Sequence, residues 1–423
     1  MSRKPTDKKP DISRGVPRRG TKAGTRDDEE SIGLMEPMLV SETSRHWRGI
    51  GDLVVELATQ SAAFKASLPP GVADALATLV RAMNCYYSNL IEGHNTHPVD
   101  IERALKNDYS SNTKKRNLQL EAKAHIAVQS WIDSGGLTEP ATSEASIQEI
   151  HRRFCELLPA ALLKVKSPSG EQEIAIVPGV WRDRDVVVGQ HRAISPGAVP
   201  RFMARFAAAY GRLGKVEAIA GIAAAHHRLL WVHPFLDGNG RVARLMSHAM
   251  LRVALDTGSL WSISRGLARN EADYKRHLAA CDLTRRNDLD GRGNLSEEAL
   301  TEFSRFFLEI ARDQVRFMRE LVEPDRLKLR IGQWAQQEIK NDRLPQKSGL
   351  VLEALLYRGE LPRAEVPELL SVGDRQARRI TSALLEAGVV VSETPKSDLK
   401  LTFPARLAGR WMPGLFPEKP DER

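Results

Sequence analysis

The stretch His233-Pro-Phe-Leu-Asp-Gly-Asn-Gly-Arg-Val-Ala-Arg244 constrains this chain more than any other. Helical apolar periodicity runs into it over 214–231 and out of it over 240–256, so the chain must turn sharply between two helices here. Gly238 and Gly240 permit backbone angles closed to other residues. Three amides with little side-chain bulk, opening a helix, form an anion cradle. Arg241 and Arg244 stand three apart and share one face of that helix. His233 precedes the cradle, and Asp237 lies between them. A base, a hard oxygen ligand, an anion nest and two permanent cations point to phosphoryl chemistry.

The rest of the chain reads as an all-α body with one extended interruption. Helices are expected over 44–66, 70–92, 98–107, 114–134, 144–158, 199–213, 214–231, 240–256, 260–266, 269–283 and 296–322. Residues 164–200 are rich in Gly, Pro, Ser and Asp. They carry Ile174-Ala-Ile176 and Val186-Val-Val188, the pattern of a short β-hairpin or flap. Beyond Pro324 come two helices (326–341, 347–358), then two short ones (363–370, 374–387) joined by Ser371-Val-Gly373. Strand-like segments follow at 388–391 and 398–402. Helix, tight turn, helix and two-stranded wing is the winged helix-turn-helix pattern.

The net charge of +8 sits almost wholly in one place. Residues 1–26 hold nine Lys/Arg against two Asp, a net +7. With its Pro and Gly content, 1–32 is expected to be a disordered basic tail. No apolar run is long enough for a membrane helix, and the polar N-terminus lacks the apolar core of a secretory signal. Cys85, Cys155 and Cys281 are far apart and odd in number, which points to reduced thiols and a cytoplasmic setting. No cysteine pair has metal-site spacing. Asp288-Leu-Asp290-Gly-Arg292-Gly293 begins like a Ca²⁺ loop, but Arg292 and Ala299 stand where oxygen ligands are required. His226-His227 lack a zinc pattern and are expected in the core.

The 233–244 stretch resembles the signature of Fic-domain proteins, HPFx[D/E]GNGRxxR, and meets every fixed position. That resemblance covers about 33–322. It implies transfer of AMP from ATP to a Ser, Thr or Tyr hydroxyl of a target protein, with release of pyrophosphate. His233 would be the base and Asp237 the Mg²⁺ ligand. Gly238, Asn239, Gly240, Arg241 and Arg244 would bind the nucleotide's phosphates, with Asn239 either steadying the loop or touching phosphate. Asn270 and Tyr274 fall where relatives contact adenine. Val186, Val187, Val188 and Gly189 resemble the family's target-docking flap.

Ser88-Asn-Leu-Ile-Glu92-Gly93 resembles the family's inhibitory motif, [S/T]xxxE[G/N], in the subclass that carries it N-terminal to the core. There Glu92 would pair with Arg244 and deny it to the γ-phosphate. On spacing alone, Glu92 reads better as the end of a helix at Gly93. The resemblance divides the chain into the tail (1–32), an N-terminal helical region with the inhibitory helix (33–140), a catalytic core (141–323) and a winged-helix-like unit (324–415). The partners implied are ATP, a target protein, DNA through Arg375, Arg378 and Arg379 of the last unit, and a second copy of the chain. A DNA-binding regulator with a nucleotide-sensing core and an AMP-removing hydrolase remain open as alternatives.

Overall fold

Prolines, glycines and polar caps cut the chain into helices at nearly every position the periodicity indicates. The structure, a computed structural model, describes residues 25–166, 172–257 and 259–417. Helix α1 (Trp47–Ala66) is stopped before Pro69, and Pro70 occupies the first turn of α2 (Pro70–Ile91). Helices α3 (Pro98–Leu105), α4 (Thr113–Asp133) and α5 (Glu144–Glu156) follow. Asn112 caps α4 and Ser143 caps α5, each accepting a backbone N–H at 3.1 Å.

The extended interruption holds two hairpins, not one. Strand β1 (Lys164–Lys166) pairs antiparallel with β2 (Glu173–Ala175), and β3 (Val187–Val188) with β4 (His191–Arg192). The Ile174 segment therefore pairs backward in sequence and the Val187 segment forward. Helix α6 (Val199–Tyr210) follows. The helix expected over 214–231 is split at Gly221 into α7 (Lys215–Ala220) and α8 (Ile222–Val232); a side chain at 221 would collide with Leu39 and the Glu217 carbonyl. Helices α9 (Asn239–Leu255), α10 (Ile263–Arg269), α11 (Glu271–Cys281) and α12 (Glu297–Leu321) complete the body. Helices α8 and α9 pack on each other at its centre, and α12 runs along α1. No helix among the described residues is long and apolar enough to cross a membrane.

Residues 1–24 lie outside the described part of the expected tail. Residues 25–32 are not free. Ser195 donates through its N–H and Oγ to the Glu30 carboxylate, Arg201 grips Asp27, and Gly197 N–H donates to Arg26 O at 2.8 Å.

The last segment contains α13 (Pro324–Lys340), α14 (Ser348–Arg358), β5 (Glu360–Leu361), α15 (Val366–Leu370), α16 (Asp374–Glu386), β6 (Val390–Val391), β7 (Leu399–Leu401) and α17 (Ala408–Trp411). Ser371, in the left-handed region at φ 46°, turns α15 into α16. The sheet has three antiparallel strands with β7 central; β5 and α17 carried no sequence signal. This segment packs against α2. Gly359 lies so close to Gly71 that a side chain at 71 would collide with it, and Tyr87 hydroxyl donates to Leu415 O at 3.0 Å.

Candidate active site

Helix α8 ends at Val232, and His233 takes φ 50°, ψ 60°. A non-glycine residue in this left-handed conformation is strained and needs its surroundings to hold it. Phe235, fully buried, is stacked on His151 with ring centroids 3.8 Å apart. The Asn239 side chain clasps Phe235 from both sides, accepting from its N–H at 3.0 Å and donating to its carbonyl at 2.9 Å. Both polar atoms of Asn239 are thus used on the loop itself. Gly238 supplies φ 81° and starts α9, whose first amides have no carbonyl within the helix to bind.

A further fastening comes from Arg182, which carried no sequence signal. Among the described residues, its buried guanidinium donates only to backbone carbonyls: His233 at 2.7 Å, Arg184 at 2.8 Å, Ile194 at 2.6 Å and Val232 at 3.4 Å. Its own N–H donates to Pro234 O at 2.8 Å. One side chain thus ties the His233 turn to both ends of the β3–β4 hairpin. Burial without a carboxylate partner pushes its pKa down to about 10.

His233 Nδ1–H donates to Leu230 O at 3.3 Å, which leaves Nε2 as the basic nitrogen. Burial, with help from the Arg182 and His191 charges, pushes the imidazole pKa down to about 4. His233 is therefore neutral near pH 7, the state required of a proton acceptor.

Helix α9 buries two arginines, and a buried cation needs partners. Arg244 finds them on the last turn of α2. Its Nε donates to Ser88 Oγ at 2.8 Å, and its Nη2 to Ser88 O at 3.2 Å and to Glu92 Oε1. The α2 terminus is a Schellman arrangement: Gly93 takes φ 80°, Gly93 N–H donates to Leu90 O, and His94 N–H to Asn89 O. A carboxylate at a helix C-terminus opposes the helix dipole, so Arg244 is what stabilises Glu92 there. Burial alone would raise the Glu92 pKa; the Arg244 charge and hydrogen bond outweigh it and hold the carboxyl below its ordinary value. The same carboxylate lies over the cradle, where a Cβ at Gly240 would collide with Glu92 Oε1.

Arg241 is held by a second carboxylate. Its Nη2 donates to Glu121 Oε2 at 3.0 Å, and His94 Nδ1 meets the same oxygen at 2.7 Å. The Glu121 hydrogen bond raises the His94 pKa. Arg241 Nε is buried without a hydrogen-bond partner among the described residues. These groups, with Asp237 and Gly238, line a cavity of about 220 Å³.

Residues 141–251 match the Fic/DOC family. The chain carries a Fic domain. Over 75 residues it is 35% identical to "Protein adenylyltransferase Fic" of Drosophila erecta and, equally, of Drosophila ananassae. Those matches cover 17% of this chain and 15% of each relative, so the chain spans only a small part of the curated relatives' length. A Fic family protein from Desulfovibrio desulfuricans G20 shares the fold across 86% of this chain and 98% of its own, with a TM-score of 0.50 and 17% identity.

Within the Fic domain and its surroundings, the structure brings together His233, Asp237, Gly238, Gly240, Arg241, Arg244, Ser88, Glu92 and Gly93. Tyr274 and Asn270 also have partners within the protein. Tyr274 is buried, and its hydroxyl meets His226 Nε2 at 2.7 Å between packed aromatic rings. Asn270 closes the α10–α11 junction, donating from Nδ2 to Gly266 O at 2.9 Å. His226 and His227 lie in the core, hydrogen-bonded to Ser247 and Asp282. Val187 and Val188 are 64% and 45% exposed on β3, Gly189 turns the hairpin at φ 60°, and Val186 O accepts from Ala193 N–H. His191 Nε2 reaches Trp231 O at 2.7 Å and fixes this hairpin to α8. No cluster of three or more His, Cys, Asp or Glu suited to a metal occurs among the described residues. The exposed Asp237 fits a different case, since Mg²⁺ bound with phosphates needs one or two carboxylates and keeps several waters.

Proposed function

We propose that this chain is an autoinhibited protein adenylyltransferase that transfers AMP from ATP to a protein hydroxyl. The observation that carries the reading is Glu92, seated over the Gly240 cradle and hydrogen-bonded to Arg244. A carboxylate in a phosphate position is competitive with phosphate by charge and by occupancy.

Once Glu92 moves away, Arg244 and Arg241 bind the outgoing phosphates. The amides opening α9 stabilise charge on the phosphoryl group under attack. His233 Nε2 accepts the proton of the target hydroxyl. Asp237 would hold Mg²⁺, which supplies neutralisation of phosphate charge. The target segment would add along the exposed edge of β3. Incubation of Glu92→Gly with labelled ATP and cell lysate tests the reading. Labelled protein is expected, with a silent Glu92→Gly/His233→Ala double variant. No labelling by Glu92→Gly would overturn it.

Two observations favour additional readings. The ionised Glu92 beside the cradle is a group that can orient water, which favours removal of AMP from modified protein; release of AMP from an adenylylated protein by the unaltered chain would demonstrate it. Arg375, Arg378 and Arg379 stand exposed on α16 without an ion pair or hydrogen bond among the described residues. That favours a DNA contact by a winged-helix-like unit; a salt-dependent mobility shift weakened by Arg378→Ala would demonstrate it.

A further inference from the structure

The clasps on the 233–244 loop hold its two ends. Arg182 binds the carbonyls of His233 and Pro234, and the Asn239 side chain binds both main-chain groups of Phe235. Neither reaches Asp237. Its carboxylate is exposed and makes no hydrogen bond or ion pair among the described residues. A carboxylate without partners points where its backbone sends it. The aim of Asp237 is therefore set by whatever holds the middle of the loop.

The His151 ring of α5 lies there, 1% exposed. It is stacked on Phe235 with 7° between the planes. Its edge runs along Gly238, where a Cβ would meet His151 Cδ2 at 3.5 Å and Nε2 at 3.7 Å. Gly179 N–H donates to His151 Nδ1 at 2.9 Å, so Nδ1 keeps its lone pair and the proton sits on Nε2. That N–H has two acceptors beside it, Cys155 Sγ at 3.4 Å and the Asp237 main chain. Both nitrogens of a costly buried ring are thus in use. Gly179 takes φ 72° and is pressed onto α5, since a Cβ there would collide with Arg152 Cβ. Two residues on, Trp181 also packs on Phe235, with ring centroids 5.0 Å apart. One imidazole therefore joins α5, the segment leading to β3 and the middle of the loop.

We infer that His151 is a positioning residue for Asp237, acting through the backbone of 235–238 to present its carboxylate for Mg²⁺. This rests on the adenylyl-transfer reading above. Groups that orient a metal's ligands govern its affinity nearly as strongly as the ligands do. The cradle amides belong to α9 and are held by the Asn239 clasp, so phosphate binding without metal does not need the ring.

The test is calorimetric titration of ATP into Glu92→Gly, once with Mg²⁺ and once with a chelator in its place. That parent is expected to bind ATP more tightly with Mg²⁺. Adding His151→Phe keeps an aromatic ring against Phe235 and removes both nitrogens. It should leave the affinity in chelator unchanged and lower the affinity in Mg²⁺ about ten-fold. Adding Asp237→Asn should also act only in Mg²⁺. Both changes together should lose no more than Asp237→Asn alone, as for two residues on one path. Should His151→Phe fail to fold, His151→Asn keeps an acceptor for Gly179 N–H and lacks the Nε2 donor; the same selective loss is expected of it. Equal weakening in Mg²⁺ and in chelator, additive losses in the combined variant, or a parent indifferent to Mg²⁺ overturns the inference and leaves adenylyl transfer standing. If Glu92→Gly binds no ATP in either condition, adenylyl transfer falls, and the inference with it.

Discussion

Glu92 and Arg244 meet across the backbone of Gly240, so a single carboxylate covers the anion cradle and engages the more deeply buried arginine of α9. The contact joins the end of α2 to the middle of the body. On the proposed reading, the state of one helix terminus governs phosphate access.

The first consequence concerns pH. His233 is held neutral down to about pH 4. Activity of Glu92→Gly should therefore be level through neutral pH and fall only as His233 protonates near pH 4, not near the ordinary histidine value of about 6.5. A profile of kcat/KM against pH reads the midpoint directly.

Glu92 itself gives a second pH effect, on stability. Its folded pKa lies below the unfolded one, so its contribution is present above the ordinary glutamate range and lost as pH falls through the folded value. The stability difference between the unaltered chain and Glu92→Gln should be constant from pH 6 to 8 and shrink below about pH 4. Urea unfolding at stepped pH measures it; a difference that grows on acidification contradicts the assigned direction.

Arg182 should matter as much as residues of the motif itself. Arg182→Ala leaves several buried carbonyls unpaired and removes what holds the strained His233 turn. A loss of about 3 kcal/mol in stability is expected. In the Glu92→Gly background kcat should fall at least ten-fold with a smaller change in KM for ATP. Equal losses in both parameters would place Arg182 outside the reacting geometry.

Glu121 holds Arg241 where phosphate is expected to bind. Glu121→Gln in the Glu92→Gly background should lower the melting temperature without nucleotide, because a buried guanidinium loses its counter-charge. ATP should recover more of that loss than it adds to the parent. Thermal scans with and without ATP test this; equal ATP shifts would mean that Arg241 does not exchange partners.

The C-terminal segment braces the same helix. Tyr87, adjacent to Ser88, donates to Leu415 O, Arg265 donates to Gly414 O at 2.8 Å, and Phe416 packs edge-on against Tyr86. Tyr87→Phe removes one buried hydrogen bond, of about 1 kcal/mol, and should raise basal labelling by up to about five-fold. Unchanged labelling would uncouple this segment from the site.

Much of this was legible because it is local. The glycines, caps and apolar stripes are written in consecutive residues, and the 233–244 stretch carries its loop geometry in its own composition. Residues that act from a distance left no such trace. Arg182 sits in an irregular segment and binds only carbonyls, and Glu121 lies on a helix face with ordinary periodicity. The need for glycine at 221 comes from Leu39, far away in sequence. Tyr274 follows the motif at a suitable interval, but its spacing does not show that its buried hydroxyl meets His226. Residues 25–32 have the composition of a free tail, and distant partners, among them Arg201, Ser195, Gly197 and Asp185, hold them in place.

The central claim is that Glu92 stands where a phosphate of ATP must bind. Calorimetric titration of ATP into the unaltered chain and into Glu92→Gln tests it most directly. The account predicts at least ten-fold tighter binding by Glu92→Gln, about 1.4 kcal/mol. Equal affinity in the two proteins would contradict it.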